Sequence, residues 1–215
     1  MMEQPTNNQQ ISSYIIHSQE EEIKRISQEL HEGVGQNLYS ILTGLQFVQS
    51  STKQQHLKNY LHEMTELLEK NIQEIRLLSV ELHPPTLTTL GLLPAIKSYI
   101  KLYTSTFGIL VDLNSTGEER QLPERHRIAV FRVCQEALTN IAKYADTSEV
   151  KIDFYWGEYE LNMCICDFGQ GFKAEETDNT LGISAMKERM HLTGGTCDIS
   201  STIGEGTTIE ISLPY

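Results

Sequence analysis

The sequence predicts an α+β protein in two parts: an N-terminal antiparallel helical hairpin that pairs with a second copy as a dimeric four-helix bundle, then an α/β sandwich. Three observations carry this expectation. Ile23, Ile26, Leu30, Val34, Leu38, Ile41, Leu45 and Val48 recur at steps of three and four, as do Leu57, Leu61, Met64, Leu68, Ile72, Ile75, Leu78 and Leu82, which marks two long amphipathic helices. Pro84-Pro85 then stops the second helix, because proline lacks the amide donor and disfavours helix at the residue before it. Beyond the prolines, helical periods alternate with period-two runs and glycine turns, the pattern of helices packed on a mostly antiparallel sheet.

Composition narrows the function classes. A chain of 215 residues holds one large domain or two small ones, and 39% hydrophobic residues is ordinary for a soluble globular protein. The formal net charge of −12 argues against nucleic acid as a direct partner, since phosphate backbones are held by clustered Lys and Arg. No run approaches the roughly 18 to 20 apolar residues that span a bilayer, and Met1-Met2-Glu3-Gln4-Pro5 has no apolar signal core. The expected location is cytoplasmic, with any membrane sensor in a longer protein or a partner. Cys134, Cys164, Cys166 and Cys197 lack C-x-x-C spacing and read as buried free thiols.

Taken in order, residues 1–17 are rich in Gln, Asn and Ser and read as a flexible lead-in. The hairpin occupies 18–85, its first helix opening near Ser18-Gln19-Glu20-Glu21 with acidic residues at the positive end of the dipole. Ser50-Ser51-Thr52-Lys53 breaks the pattern between the two helices. One hairpin alone exposes both apolar stripes, so a homodimer is expected. The sandwich occupies 86–215. It begins with a helix over 92–107 closed by Gly108 and a strand carrying Ile109, Val111 and Leu113. A helix then starts at Leu122-Pro123-Glu124 and runs to about 145. Strands over 150–156 and 161–166 form a hairpin, a helix spans 182–192, and two last strands cover 196–200 and 207–213.

The first chemical constellation is Arg25-Ile26-Ser27-Gln28-Glu29-Leu30-His31-Glu32-Gly33-Val34-Gly35-Gln36. His31 lies roughly 100° round from Leu30, beside the apolar stripe. Alone it reads as a solvated flank residue. Yet Gly33 and Gly35 each cost a helix interior roughly 1 kcal/mol against Ala, so their presence needs a reason. Gly35 is expected to clear space around the imidazole. Glu32 can accept a hydrogen bond from one ring nitrogen and leave the other nucleophilic. Glu32 and Gln36, at i and i+4, can also orient a water. His31, Glu32 and Gln36 are therefore the candidate catalytic residues, conditional on a phosphoryl donor elsewhere.

The second constellation supplies that donor. Glu136, Asn140 and Lys143 fall at i, i+4 and i+7 on one helix face. A carboxylate and a carboxamide on adjacent turns suit a hydrated Mg²⁺, with Lys143 meeting phosphate. Asp167-x-Gly169-x-Gly171 ends a strand, where the aspartate can accept from an adenine amino group and the glycines admit close backbone approach. Leu181-Gly182-Ile183 opens a helix whose free amides favour phosphate, and Gly204-x-Gly206-Thr207 repeats the glycine device.

At these residues the chain resembles a known family. Glu136-Ala137-Leu138-Thr139-Asn140, Asp167-x-Gly169-x-Gly171-Phe172, Gly182-x-x-x-Met186-x-x-Arg189 and Gly204-x-Gly206-Thr207 resemble the N, G1 and G2 boxes of two-component sensor histidine kinases. Glu29-Leu30-His31-Glu32-x-x-x-Gln36 resembles the phosphoacceptor box of the subfamily paired with NarL-type response regulators. Leu82-His83-Pro84-Pro85-x-Leu87-x-x-Leu90-Gly91-Leu92 is similar to that subfamily's connection between its two domains. The resemblance runs from about residue 20 to 214, with the boxes in order.

It implies a Bergerat-type, GHKL ATP-binding sandwich and a kinase using ATP and Mg²⁺. Asn140 would ligate the ion with Glu136 helping through water, and Lys143 would contact phosphate. Asp167 would read adenine, and Gly169, Gly171, Gly182, Met186, Arg189, Gly204, Gly206 and Thr207 would shape the pocket and its lid. His31 would attack the γ-phosphorus with Glu32 taking its proton, and the phosphate would pass to a regulator aspartate. Glu32 and Gln36 would position water for the reverse, phosphatase activity. Glu32 stands where the subfamily more often has Asp, Tyr144 replaces a frequent histidine, and His83 replaces a frequent arginine. The lid, 173–180, is short. The competing readings are a GHKL-type ATPase or serine kinase, and a non-enzymatic dimeric scaffold.

Overall fold

The structure, a computed structural model, describes residues 7–173 and 181–215. Residues 1–6 of the expected lead-in and 174–180 of the expected lid lie outside the described residues. The chain divides into two units, Met1–Pro85 and Thr86–Tyr215.

In the first unit α1 (Asn7–Gln28) continues through a π-helical turn (Glu29–Val34) into α2 (Gly35–Ser51), and α3 (Gln55–Leu82) runs back. Helix begins at Asn7, so 7–17 of the expected lead-in are helical and continue into the rest of α1. No glycine or proline falls between Asn7 and Glu32, and once a helix is nucleated each further residue adds a backbone bond at little cost.

The apolar stripes divide between two faces. On α3, Leu61, Thr65, Ile72 and Ser79 are buried at steps of four and seven residues, while Leu57 and Leu78 stay exposed. On the first helix Ser27 and Leu42 are buried, but Ile26, Val34, Ile41 and Val48 are exposed. Ser27 and Leu42 are separated by one residue more than two heptads, and the widened turn between them absorbs the excess. The Gly35 amide donates to the carbonyl of Leu30, five residues back, which is the signature of that turn.

In the second unit a short helix, α4 (Pro85–Thr89), leads to α5 (Leu92–Phe107), which Gly108 closes in the left-handed region at φ +72°. Then follow β1 (Leu110–Gly117), α6 (Glu124–Asn140) with a second π-helical turn (Ile141–Ala145), β2 (Glu149–Trp156), β3 (Glu160–Asp167), α7 (Leu181–Leu192), β4 (Thr196–Thr202) and β5 (Gly206–Pro214). The five-stranded sheet has the order β1-β2-β3-β5-β4, parallel between β1 and β2 and antiparallel elsewhere.

Period two puts Val150, Ile152, Phe154 and Trp156 of β2, and Leu161, Met163 and Ile165 of β3, on one buried face. Ile96 and Tyr103 of α5, Val130, Phe131 and Leu138 of α6, and Met186 and Met190 of α7 join them in one core. Asp167 is the last member of the β3 row. The fold thus carries a carboxylate to the edge of an apolar interior. Cys134 and Cys197 are buried as expected, but Cys164 and Cys166 are only partly so, because the same alternation turns them to the opposite face. Among the described residues no helix is long and apolar enough to cross a membrane.

Candidate functional site

A cavity of about 620 Å³ opens beside Asp167 in the second unit, within the roughly 300–1,000 Å³ of small-molecule sites. α6 and its π turn contribute Glu136, Asn140, Lys143 and Tyr144; β3 and the turn after it contribute Asp167, Gln170, Gly171 and Phe172. The start of α7 adds Gly182, Ile183 and Met186, and the last two strands add Ile199, Thr207 and Ile209. Of the residues expected at a nucleotide site, Glu136, Asn140, Lys143, Asp167, Gly171, Gly182, Met186 and Thr207 line this cavity.

Gly169 and Gly206 stand behind the lining. A Cβ at 169 would lie 2.0 Å from the carbonyl oxygen of Ala145, and one at 206 would lie 2.1 Å from that of Asp167. These two glycines let the turn and β5 close on the strand end. Gly204 meets nothing within 4 Å of an added Cβ, and neither it nor the half-buried Arg189 of α7 is part of the described wall.

Asp167 is only 4% exposed. The Gly169 amide donates to its Oδ1 at 2.9 Å, so one carboxylate oxygen is committed to the turn and the rotamer is set. The Gln170 amide donates to Ala145 O at 2.7 Å, and its side-chain Nε2 donates to Tyr144 O. The glycine turn is thereby tied to the π turn of α6. Burial, then Tyr99 and Asp167, push the Tyr103 phenol above its ordinary pKa. Tyr103 therefore stays neutral close to the Asp167 carboxylate.

Asn140 Nδ2 donates to Glu136 Oε1 at 3.3 Å. Both side chains line the cavity, and this bond leaves the carboxamide oxygen on the side away from Glu136. Such oxygen donors fit a hydrated Mg²⁺, which takes one or two protein ligands and completes its shell with water and phosphate. Among the described residues no three carboxylates, histidines or cysteines gather to hold an ion by themselves.

Gly182 explains why Glu136 fits: a Cβ there would lie 2.2 Å from Glu136 Oε1. Gly182→Ala is expected to rotate Glu136 out of place and weaken ATP binding about tenfold, or ~1.4 kcal/mol. Isothermal titration with ATP checks this.

Sequence reasoning missed the apolar wall of Ile141, Ile183, Ile199 and Ile209 and the turn-tying Gln170. Isoleucines at core spacing carry no mark that distinguishes a pocket from a core.

The other constellation lies on the π turn of the first unit. His31, Glu32 and Gln36 are all exposed. Among the described residues no hydrogen bond joins Glu32 to His31, contrary to the expected tautomer-fixing contact, because consecutive helical residues diverge by roughly 100°. Gly35 has a different reason from the expected one: a Cβ there would lie 3.3 Å from Leu30 O, so it makes room for the widened turn and not for the imidazole. Arg25 is held by Glu22 at 2.7 Å and Glu29 at 3.3 Å, on the exposed side.

Comparison with known proteins places both regions. Residues 22–87 match the family model described as histidine kinase, and residues 125–215 match that of the histidine kinase-, DNA gyrase B-, and HSP90-like ATPases. The chain is 32% identical over 217 residues to the signal transduction histidine-protein kinase/phosphatase DegS of Brevibacillus brevis, across 99% of this chain and 56% of DegS. It is 34% identical over 201 residues to the oxygen sensor histidine kinase NreB of Staphylococcus carnosus, across 93% of this chain and 58% of NreB. The chain thus spans somewhat more than half the length of these relatives. In fold it is similar to the histidine kinase domain of the blue-light activated histidine kinase of Erythrobacter litoralis, with a TM-score of 0.51 and 14% identity over 83% of this chain and 94% of that one.

Proposed function

The chain belongs to the histidine kinase family through both of its units, and from that premise we propose that it phosphorylates its own His31 from ATP and passes the phosphoryl group to an aspartate of a NarL-type response regulator. The observation that carries this reading is the meeting of Asp167, Glu136 and Asn140 around one cavity in a chain whose helical unit presents an exposed histidine.

In this mechanism Asp167 accepts a hydrogen bond from the adenine amino group with the oxygen that Gly169 leaves unused. Lys143 faces the phosphates, and the wall of isoleucines excludes water from the base. Asn140 and Glu136 would hold Mg²⁺, which would supply charge neutralisation at the phosphate oxygens. A lone pair of the His31 imidazole attacks the γ-phosphorus; the P–N bond forms as the bond to the β,γ-bridging oxygen breaks and ADP leaves. Glu32, which makes no direct bond to His31, takes the displaced imidazole proton through one water. In the reverse activity Gln36 and Glu32 orient water against the regulator's acyl phosphate.

The protein works as a homodimer in the cytoplasm. Exposed Ile41, Val48, Leu67 and Leu78 support the first point, since pairing two hairpins buries them. Free thiols and a need for ATP support the second.

Incubation with γ-labelled ATP and Mg²⁺ tests the reading. The expected product carries an acid-labile label that transfers to a purified regulator; no label despite measurable ATP binding overturns it. Gln36→Ala is expected to keep autophosphorylation within about twofold while slowing regulator dephosphorylation at least about tenfold, because only the second step needs a placed water. Equal losses in both activities would contradict this division of labour.

A further inference from the structure

The helical unit buries an unusual pair of hydroxyls. Ser27 of α1 is 1% exposed and Ser79 of α3 is 0% exposed, at positions where a helix–helix seam ordinarily carries apolar residues. Ser27 Oγ lies 2.9 Å from the carbonyl oxygen of Ser79 and 2.8 Å from that of His83, its single proton shared between them. Ser79 Oγ donates to the carbonyl oxygen of Ser27 at 3.0 Å, and the two hydroxyl oxygens are 3.2 Å apart. His83 is the C-cap of α3, where helix carbonyls lack partners of their own. Ser27 therefore caps α3 from the neighbouring helix, and Ser79 holds α1 in return.

Ser27 precedes His31 by four residues, about one helical turn, and the π turn starts two residues after it. Its extra residue lies between two anchored points: Ser27 in the clasp, and Leu42 in the hairpin interior. A π turn is the rarer geometry. With one anchor released it relaxes to α-helix, which rotates one flank against the other by about 100°.

We infer that Ser27 and Ser79 form a clasp that positions His31, holding the π turn that carries the histidine out of the hairpin. This rests on His31 being the phosphoacceptor. Gly35 belongs to the same device, since it leaves Leu30 O unobstructed at the far end of the turn.

The test uses the full chain with Ser27→Ala, Ser79→Ala, the double variant and Gly35→Ala. The two single serine changes remove the same atom from equally buried sites, so a merely structural cavity gives equal effects. A clasp does not: Ser27→Ala loses the bonds to both Ser79 O and His83 O, whereas Ser79→Ala keeps both of these and loses the bond to Ser27 O; the contact between the two hydroxyls is lost in either case. The double variant strands neither hydroxyl but still removes the cap on His83 O, so its exchange over 29–35 is expected to rise at least as much as in Ser27→Ala.

Expected for Ser27→Ala is amide hydrogen exchange over 29–35 at least about tenfold faster, with 61–72 unchanged. Autophosphorylation kcat is expected to fall about tenfold at constant KM for ATP. Ser79→Ala shows smaller changes of both kinds, and Gly35→Ala acts on the same segment. Unchanged exchange over 29–35 in Ser27→Ala, equal effects of the two serine variants, or a rise in KM alone overturns the clasp. Absence of a His31-dependent label in the unaltered chain overturns the acceptor role instead, and hydrogen exchange still decides the clasp.

Discussion

Replacing His31 by glutamine is expected to abolish the acid-labile phosphoryl label while ATP binding stays within about twofold. Glutamine keeps a polar side chain of similar reach, but its amide nitrogen has given its lone pair to the carbonyl and cannot attack phosphorus. The fold should not notice. His31 is exposed, and exposed substitutions away from caps and networks usually change stability by no more than about 0.5 kcal/mol. The nucleotide cavity is built wholly from the other unit, so its affinity has no reason to move. Filter binding of labelled protein before and after acid, beside titration with ATP, reads both quantities. Label that persists in His31→Gln would place the acceptor on another residue and refute the mechanism proposed for the π turn.

Asp167→Asn is expected to weaken ATP binding by about 10- to 100-fold, the roughly 1.5–3 kcal/mol of a hydrogen bond to a charged group. The argument turns on the Gly169 amide, which already donates to Oδ1 at 2.9 Å. An asparagine that keeps its oxygen on this amide must turn its own NH₂ toward the adenine amino group, so donor meets donor. If it flips, the buried Gly169 amide loses its partner. Neither orientation satisfies both groups. Guanine presents an acceptor in place of that amino group, so the same substitution should narrow the preference for ATP over GTP. Isothermal titration with both nucleotides checks this, and an unchanged ATP affinity would remove Asp167 from base recognition.

These two substitutions also separate the activities of the two units. His31→Gln should bind nucleotide and not label, whereas Asp167→Asn should label poorly because it binds poorly. A labelling defect in Asp167→Asn that saturating ATP restores would place the loss in binding alone.

Much of the architecture is legible in local pattern. The apolar period announced α3, the period-two runs announced β2 and β3, and Pro84-Pro85 and Gly108 marked where helices stop. The polar residues of the cavity were equally legible, because Glu136, Asn140, Asp167 and Gly182 stand at spacings with a chemical meaning. Less visible were Ile183, Ile199 and Ile209, which come from three elements and acquire a role only when the sheet and α7 bring them to one wall.

By itself the sequence determined most of the helices and strands, their order, and which polar side chains gather at the cavity, since period and motif spacing are properties of neighbouring residues. The tertiary structure decided the rest. Which half of the first stripe faces inward and the widened turn under His31 both depend on α3. Ser27 meets Ser79 only after the chain folds back across 52 residues, and no local pattern records the register of that return. Likewise Gly169 reads as a turn glycine and Gly182 as a helix-opening one until Ala145 O and Glu136 Oε1 fill the space a methyl group would need, a constraint set by packing between elements.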